Sequence, residues 1–147
     1  MGRIQLALNV TDLDAAVDFY SKLFGAEPAK RKPGYANFAI DEPPVKLVLI
    51  EGTAGGTINH LGIEVFSAAD VAAAGARLST EGLQTREESG ACCYAVQDKV
   101  WVNDPDGAAW EVYTVLGDAE EHGDPAASGC DDPACAPEMA TSGAGCC

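Results

Sequence analysis

The sequence repeats one order of predicted elements, and this repeat restricts the fold more than any other feature. Residues 4–10, IQLALNV, alternate in the manner of a half-buried strand, and HLGIEVF at 60–66 repeats the alternation. Shifting the first segment onto the second places Gln5 on His60. We therefore expect an internal duplication of a βαβββ unit.

Each copy contains a predicted helix that is followed by strands. In the first copy Thr11 or Asp12 caps a helix that runs to about Phe24, and Gly25 ends it. In the second copy Ser67 caps the alanine-rich stretch SAADVAAAGARLSTEGL. The remaining strands are predicted at YANFAI, KLVLIE, CCYAVQ, KVWVN and AWEVYTV.

The C-terminal segment differs from the rest of the chain in charge and composition. Residues 117–147 hold 7 of the 23 acidic residues and no Lys or Arg. The segment is rich in Gly, Ala, Pro and Ser, so burial cannot offset the entropy cost of ordering it. We predict one folded domain over residues 1–117 and a disordered, acidic, cysteine-containing tail over residues 118–147.

The overall charge excludes two classes of partner. A net charge of -14 repels both nucleic acid and anionic lipid surfaces. The sequence has no apolar run of about 18 residues and no secretory leader at its start, which favours a cytoplasmic protein. The sequence does not distinguish a monomer from a homodimer.

Three polar side chains occupy matching places in otherwise apolar strands. Because alternate residues of a strand share a face, Gln5, His60 and Glu111 are predicted to point to the same side of one sheet. Their amide, imidazole and carboxylate donors suit Fe(II), Mn(II), Co(II) or Ni(II). The alternative is that these are solvated polar positions on an open sheet face.

The fourth symmetric position of such a duplicated site carries no useful ligand. It falls at Lys46, Leu47 or Val48, depending on how the DEPP turn is aligned with DPDG. We therefore expect a three-ligand site with open coordination positions, an arrangement used for oxygen activation. The amide of Gln5 is a weaker donor than imidazole, so we expect the metal to be lost readily.

The motif that closes the second copy, DPDG followed by WEVY, resembles that of the glyoxalase, bleomycin-resistance and extradiol dioxygenase superfamily, the vicinal oxygen chelate proteins. The resemblance covers roughly residues 3–116. It implies an α+β fold in which two βαβββ modules join their sheets into an open barrel. It also implies a metal on the concave face of that barrel, held from the first and last strands of the modules.

A second resemblance indicates one family within this superfamily. ACCYAVQDKVWV, together with RIQLALNV, FYSKLFG, PGYANFAI and KLVLIEG, is similar to the bacterial carbon–arsenic lyases and to the cadmium-induced proteins of this superfamily. This resemblance implies that Cys92 and Cys93 hold a trivalent organoarsenical. It also implies that a neighbouring non-haem Fe(II) activates dioxygen to break the carbon–arsenic bond.

The adjacent cysteines suit that role chemically. Trivalent arsenic is soft and binds thiolates better than imidazole or carboxylate, and two thiolates can replace both hydroxyls of methylarsenite. The alternative is that Cys92 and Cys93 are ordinary small strand residues. The other four cysteines lie in the tail, where their role stays open: Cys130, Cys135, Cys146 and Cys147.

The function expected from these observations is Fe(II)-dependent cleavage of trivalent organoarsenicals, either methylarsenite or aromatic compounds, with release of arsenite. Its partners are then the small organoarsenical and dioxygen. One alternative is a cadmium- or arsenic-binding sequestration protein, which would bind several Cd(II) ions per chain and consume no oxygen. Another alternative is drug binding of the bleomycin-resistance type, which needs no metal ligands.

Overall fold

The structure is a computed structural model and describes residues 2–92 and 94–118, except for the side chain of Cys92. Its elements in chain order are β1 (Arg3–Val10), α1 (Leu13–Phe24), β2 (Lys30–Lys32), β3 (Tyr35–Ile40), β4 (Val45–Glu51), β5 (Thr57–Glu64), α2 (Ala68–Thr80), β6 (Arg86–Cys92), β7 (Ala95–Asn103) and β8 (Ala109–Asp118). Within the described residues, neither helix is long and apolar enough to cross a membrane.

The eight strands form one curled sheet that is symmetric about its centre. The strand order is β2-β3-β4-β1-β5-β8-β7-β6, so the same four strands follow one another on either side of the β1/β5 seam. Across that seam Gln5 pairs with Gly62, and Ala7 pairs with His60. These two pairs exchange under the sequence shift that relates the copies, which confirms the predicted duplication of a βαβββ unit.

Each helix covers the outer face of its own half of the sheet. Asp12 caps α1 by accepting a hydrogen bond from the amide of Ala15 at 3.0 Å, and Gly25 ends the helix with φ 62°. The buried side chains of α1, Leu13 and Val17, join a core cluster with Phe38 and other residues of β3 and β4. The opposite, concave face of the sheet is therefore not covered by the helices and can carry a site.

The second helix repeats this arrangement. Ser67 caps α2 by accepting a hydrogen bond from the amide of Asp70 at 3.1 Å. Val71 of α2 packs with Val100 and Val112 of the two neighbouring strands.

Two local features differ from the sequence-based prediction. Strand β2, Lys30–Lys32, was not predicted, because a three-residue edge strand of Lys and Arg has no hydrophobic alternation. The segment CCYAVQ is not one strand: β6 ends at Cys92 and β7 begins at Ala95. The chain reverses through Tyr94, which has φ 60°, and that turn lacks the usual Gly or Asn signal.

Candidate metal centre

Three side chains that are far apart in sequence meet on the concave face. Gln5, His60 and Glu111 come from β1, β5 and β8, which are adjacent in the middle of the sheet. They are 4%, 3% and 2% exposed, respectively. The Gln5 Nε2 atom lies 3.3 Å from His60 Nε2 and 2.8 Å from Glu111 Oε1, and the latter two atoms are 3.4 Å apart.

A glycine makes this convergence possible. Gly62 pairs with Gln5 on one side and with Glu111 on the other. A Cβ atom at Gly62 would lie 3.1 Å from Glu111 Cγ and 3.3 Å from Gln5 Nε2, which is tighter than ordinary packing. Gly62 was not predicted from the sequence as a site residue, although a glycine inside a strand pattern indicates close approach of other groups.

The register identifies the fourth symmetric position as Val48. Leu61 and Gly62 pair with Trp110 and Glu111 in the second module, as Leu6 and Ala7 pair with Leu47 and Val48 in the first. The residue equivalent to Glu111 is therefore apolar. Val48 is 3% exposed and packs with Ala7 and Tyr35, so the first module closes this side of the site with hydrocarbon.

A β-bulge holds the ring of His60. Ala7 pairs with His60 and Leu8 pairs with Ile58, so the register skips Asn59. Bulges of this kind redirect side chains. Here Asn59 Oδ1 lies 2.7 Å from His60 Nδ1, which places the ring proton on Nδ1 and leaves the Nε2 lone pair facing Gln5 and Glu111.

Beyond Asn59, a chain of hydrogen bonds leads away from the ring. Asn59 Nδ2 donates to Asn9 Oδ1 at 3.0 Å, and Asn9 Nδ2 donates to Thr57 Oγ1 at 2.9 Å. On the other side, the edge of His60 meets Trp101, with 5.4 Å between the ring centroids. The orientation of the imidazole is thus fixed from two directions.

The amide of Gln5 is held by Tyr113. The Tyr113 hydroxyl donates a hydrogen bond to Gln5 Oε1, while the amide nitrogen faces His60 and Glu111. Burial raises the pKa of Tyr113 far above its usual value, and Glu64 and Glu111 raise it further, so this group remains a neutral phenol. Rotation of the Gln5 amide would turn its oxygen toward the other two donors.

Glu111 is held as a carboxylate by a buried lysine. Lys99 Nζ lies 3.1 Å from Glu111 Oε2, and both side chains are 2% exposed. Burial works to raise the pKa of Glu111, but the adjacent His60 imidazole and the charge of Lys99 bring the pKa below its usual range. Lys99 was not predicted from the sequence as a site residue, because its only signal is a charge on the inward face of an apolar strand.

A cavity of about 220 Å³ opens beside these residues. We call it the side cavity, and it is lined chiefly by Arg3, Tyr35, Lys46, Glu64, Ala95 and Gln97. Tyr35, Lys46 and Gln97 also line a second, much smaller cavity of about 10 Å³, together with Gln5, Glu111 and Tyr113. The side cavity therefore adjoins a small space that Gln5 and Glu111 line.

The backbone of Cys92, the first residue of the predicted thiol pair, lies at the strand end that borders this cavity. Cys92 is the last residue of β6, and its backbone pairs with Ala95, which lines the side cavity. The side chain of Cys92 and the whole of Cys93 lie outside the described residues. The predicted tail, with its four cysteines, lies outside them as well, apart from Asp118.

The donor set fits a divalent transition metal. It offers an imidazole nitrogen, a carboxylate and an amide, all buried and within 3.4 Å of one another. Among residues 2–92 and 94–118, no three His, Cys, Asp or Glu side chains converge by themselves. A three-ligand centre at this place would therefore require the amide of Gln5.

Comparisons with known proteins find a matching family model and similar relatives. The family model described as "Glyoxalase/Bleomycin resistance protein/Dioxygenase superfamily" matches residues 3–112. Cadmium-induced protein CadI of Mycobacterium bovis is 65% identical over 126 residues, which cover 84% of this chain and 82% of CadI. A trivalent organoarsenical cleaving enzyme of Thermomonospora curvata is 55% identical over 155 residues, with full coverage of both chains.

A solved structure supports the fold. The Mn(II)-bound glyoxalase from Novosphingobium aromaticivorans superposes with a TM-score of 0.58 at 23% identity. The match covers 85% of this chain and 44% of the glyoxalase, so the chain spans less than half of that protein.

Proposed function

The chain belongs to the glyoxalase, bleomycin resistance protein and dioxygenase superfamily, and from this premise we propose that it is an Fe(II)-dependent dioxygenase that cleaves the carbon–arsenic bond of trivalent organoarsenicals. The observation that carries the proposal is the buried convergence of Gln5, His60 and Glu111 beside the side cavity. The full-length similarity to the Thermomonospora curvata enzyme supports the class of substrate. The product that contains arsenic is arsenite.

Three groups of the chain would hold the metal. These are His60 Nε2, the Glu111 carboxylate and, after rotation of its amide, Gln5 Oε1. When bound, Fe(II) would supply the electrons that activate dioxygen, although other divalent metals suit the same donors. Tyr113 would keep its hydrogen bond to the rotated amide by accepting from Gln5 Nε2, and Lys99 would keep Glu111 ionised.

The thiols of Cys92 and Cys93 would bind the substrate. Each thiol displaces one hydroxyl of methylarsenite as water, so two As–S bonds form and two waters leave. Two covalent anchors fix the position of the remaining As–C bond, which raises its effective concentration at the metal. Overall, methylarsenite and one dioxygen balance to formaldehyde and arsenous acid, with carbon oxidised and arsenic kept trivalent. Thiols stay reduced in the cytoplasm, where we place the protein.

Anaerobic reconstitution provides the test. The full-length chain is loaded with Fe(II), mixed with methylarsenite and then exposed to air, while chromatography follows arsenic speciation and an electrode follows oxygen. We expect arsenite to appear with about one dioxygen consumed per arsenic. His60→Ala and Glu111→Ala should both abolish turnover, because two remaining ligands hold the metal too weakly. Full activity in either variant contradicts the proposed metal centre.

Variants of the thiol pair test the substrate site separately. Cys92→Ser and Cys93→Ser should each lose activity on methylarsenite but keep Fe(II) binding, because a hydroxyl is a poor partner for soft arsenic. The double variant should be little worse than either single variant, since one missing anchor already removes the positioned complex. Cys130→Ser in the tail serves as the matched control. Wild-type turnover in both single variants of the pair would exclude an arsenic clamp at this hairpin.

Metal sequestration is the second candidate function, and the similarity to a cadmium-induced protein favours it. In that case the cysteines bind Cd(II) and the buried centre is not catalytic. A Cd(II) titration separates the two functions. A sequestering protein binds several Cd(II) ions per chain through its thiols and consumes no oxygen with any arsenical.

A further inference from the structure

The side cavity has room for more than a methyl group. Its volume is about 220 Å³, and an apolar cavity of about 150 Å³ is large enough to hold benzene. Its floor is formed by buried residues, among them Tyr35, Glu64 and Gln97, whereas Asp118 at its rim is exposed. The volume of the side cavity is therefore comparable with that of a substituted ring, and Tyr35, Lys46 and Gln97 are shared with the small cavity beside Gln5 and Glu111.

The side cavity is lined by more positively charged than negatively charged side chains. Arg3, Lys30 and Lys46 face two carboxylates, Glu64 and Asp118. One positive charge is therefore left over, in a chain whose net charge is -14. Clefts with walls of low dielectric constant concentrate such a field and attract ligands of the opposite sign.

Lys46 is the cation best placed to meet a ligand. Arg3 forms a close ion pair with Glu64, and Lys30 is 2.6 Å from Asp118, whereas Lys46 Nζ lies 3.4 Å from Glu64 Oε1. The Lys46 side chain is 14% exposed and lines both the side cavity and the small cavity beside Gln5 and Glu111. Its ammonium group also lies 5.6 Å from the centre of the Tyr113 ring.

We propose that the side cavity is a subsite for the organic substituent of the arsenical, and that Lys46 binds an anionic group carried by that substituent. The preferred ligands are then aryl arsenites with a ring carboxylate or phenolate. This inference rests on the proposed function for the identity of the arsenical. The recognition of a ring-bound anion rests only on the side cavity and its charges.

Lys46 is desolvated, and Glu64 compensates its charge only in part. Burial lowers the pKa of Lys46, and the charge of Glu64 only partly offsets that effect. A second anion in the side cavity would stabilise the ammonium form and form a charge-assisted hydrogen bond with it. Such a bond is stronger in a desolvated site than in water.

Binding of an arsenic-free probe tests the subsite without the cysteines. The metal-free, full-length protein is titrated with 4-fluorobenzoate and with its neutral analogue 4-fluorobenzamide, and fluorine NMR reports the affinity. We expect the wild-type protein to bind the benzoate about ten-fold more tightly than the amide. Lys46→Met should remove this preference, and Lys46→Arg should retain part of it because it keeps the charge.

The control is Lys22→Met, which removes an exposed lysine of α1. It should leave both affinities unchanged. Equal binding of the two probes by the wild-type protein overturns the inference. A preference for benzoate that survives in Lys46→Met, with its fold verified by circular dichroism, overturns it as well.

Steady-state kinetics then link the subsite to turnover. In the Fe(II)-loaded protein, Lys46→Met should lower kcat/KM for 4-carboxyphenylarsenite about ten-fold and change that for phenylarsenite by less than about two-fold. If the wild-type protein prefers benzoate but cleaves no arsenical, the proposed function fails and the subsite stands. If the wild-type protein and Lys46→Met both cleave the two arsenicals, and kcat/KM for each arsenical is the same in the two proteins, the inference fails and the proposed function stands.

Discussion

At the scale of single residues, the candidate centre depends on neighbours that are not themselves ligands. Asn59 fixes the ring of His60, Tyr113 holds the amide of Gln5, and Lys99 keeps Glu111 ionised. Each of the three donors thus has its own supporting contact. Such contacts orient metal ligands and raise their affinity for the metal.

Asn59 gives the first prediction at this scale. Asn59→Leu removes the acceptor at His60 Nδ1 and should weaken the affinity for Fe(II) or Co(II) about ten-fold. Asn59→Asp keeps an acceptor and should restore most of the affinity. Nitrogen chemical shifts of His60 in the metal-free protein should show the Nδ1–H tautomer in wild type and a tautomer mixture in Asn59→Leu. An unchanged metal affinity and tautomer in Asn59→Leu would mean that the bulge has no role in the centre.

Gln5 gives a prediction about the ligand set. Gln5→His should tighten metal binding, because imidazole is a stronger donor than an amide oxygen for these metals. Isothermal titration with Co(II) measures the change. An affinity equal to that of the wild-type protein would place Gln5 outside the ligand set.

Tyr113 gives a prediction about pH. Its pKa is raised in the folded state, while an unfolded tyrosine ionises near pH 10. The folded protein therefore holds a proton that the unfolded chain loses, so the free energy of unfolding should fall as pH rises above about 10. Denaturant titrations should show a loss of up to about 1.4 kcal/mol per pH unit in wild type. Tyr113→Phe should lack this part of the slope, and identical slopes would contradict the buried phenol.

At the scale of elements, helix α2 contains a residue that lowers its stability and is separate from the site. Gly75 lies within the helix and faces β7. A Cβ atom at Gly75 would lie 3.7 Å from Val100 Cγ2, which is ordinary packing distance. A helix with an interior glycine is less stable than the same helix with alanine there, by about 0.5 to 1 kcal/mol.

Gly75→Ala should therefore raise the free energy of unfolding by about 0.5 to 1 kcal/mol, as measured by urea denaturation. Gly62→Ala is the matched contrast on β5, because its Cβ atom crowds Gln5 and Glu111. That variant should bind metal more weakly. Stabilisation by Gly62→Ala with unchanged metal affinity would show that the concave face is not as tightly packed as described.

The β6–β7 hairpin places the backbone of Cys92 near the other module. Lys30 Nζ donates to the backbone oxygen of Tyr94 at 2.9 Å, and the ring of Tyr94 lies 5.6 Å from that of Tyr35. Lys32 also sits 5.8 Å from the Tyr94 ring centre. The turn that follows Cys92 is thus anchored to the β2–β3 edge of the other module.

At the scale of the whole molecule, the two modules build one site across their seam. The first module supplies one donor and the second supplies two, while Val48 fills the fourth position. The site therefore depends on the pairing of β1 with β5. The described fold reaches Asp118, whose carboxylate pairs with Lys30.

A chain that ends after Asp118 tests the predicted tail. The composition of residues 119–147 argues against packing on the domain, so the shortened chain should fold with a similar midpoint of thermal unfolding. It should also turn over saturating methylarsenite at close to the full-length rate. Loss of turnover on truncation, with Fe(II) still bound, would instead show that tail thiols take part in catalysis.

The sequence by itself determined the duplicated βαβββ pattern, because the alternation of strands and the caps of helices are local. It also selected Gln5, His60 and Glu111 as candidates, because each is polar in an apolar strand. Only the tertiary structure decided what surrounds them. The Asn59 bulge, the close approach at Gly62, the fourth position at Val48 and the cavity at Lys46 all arise from strand register and sheet curvature, which depend on residues far apart in the chain.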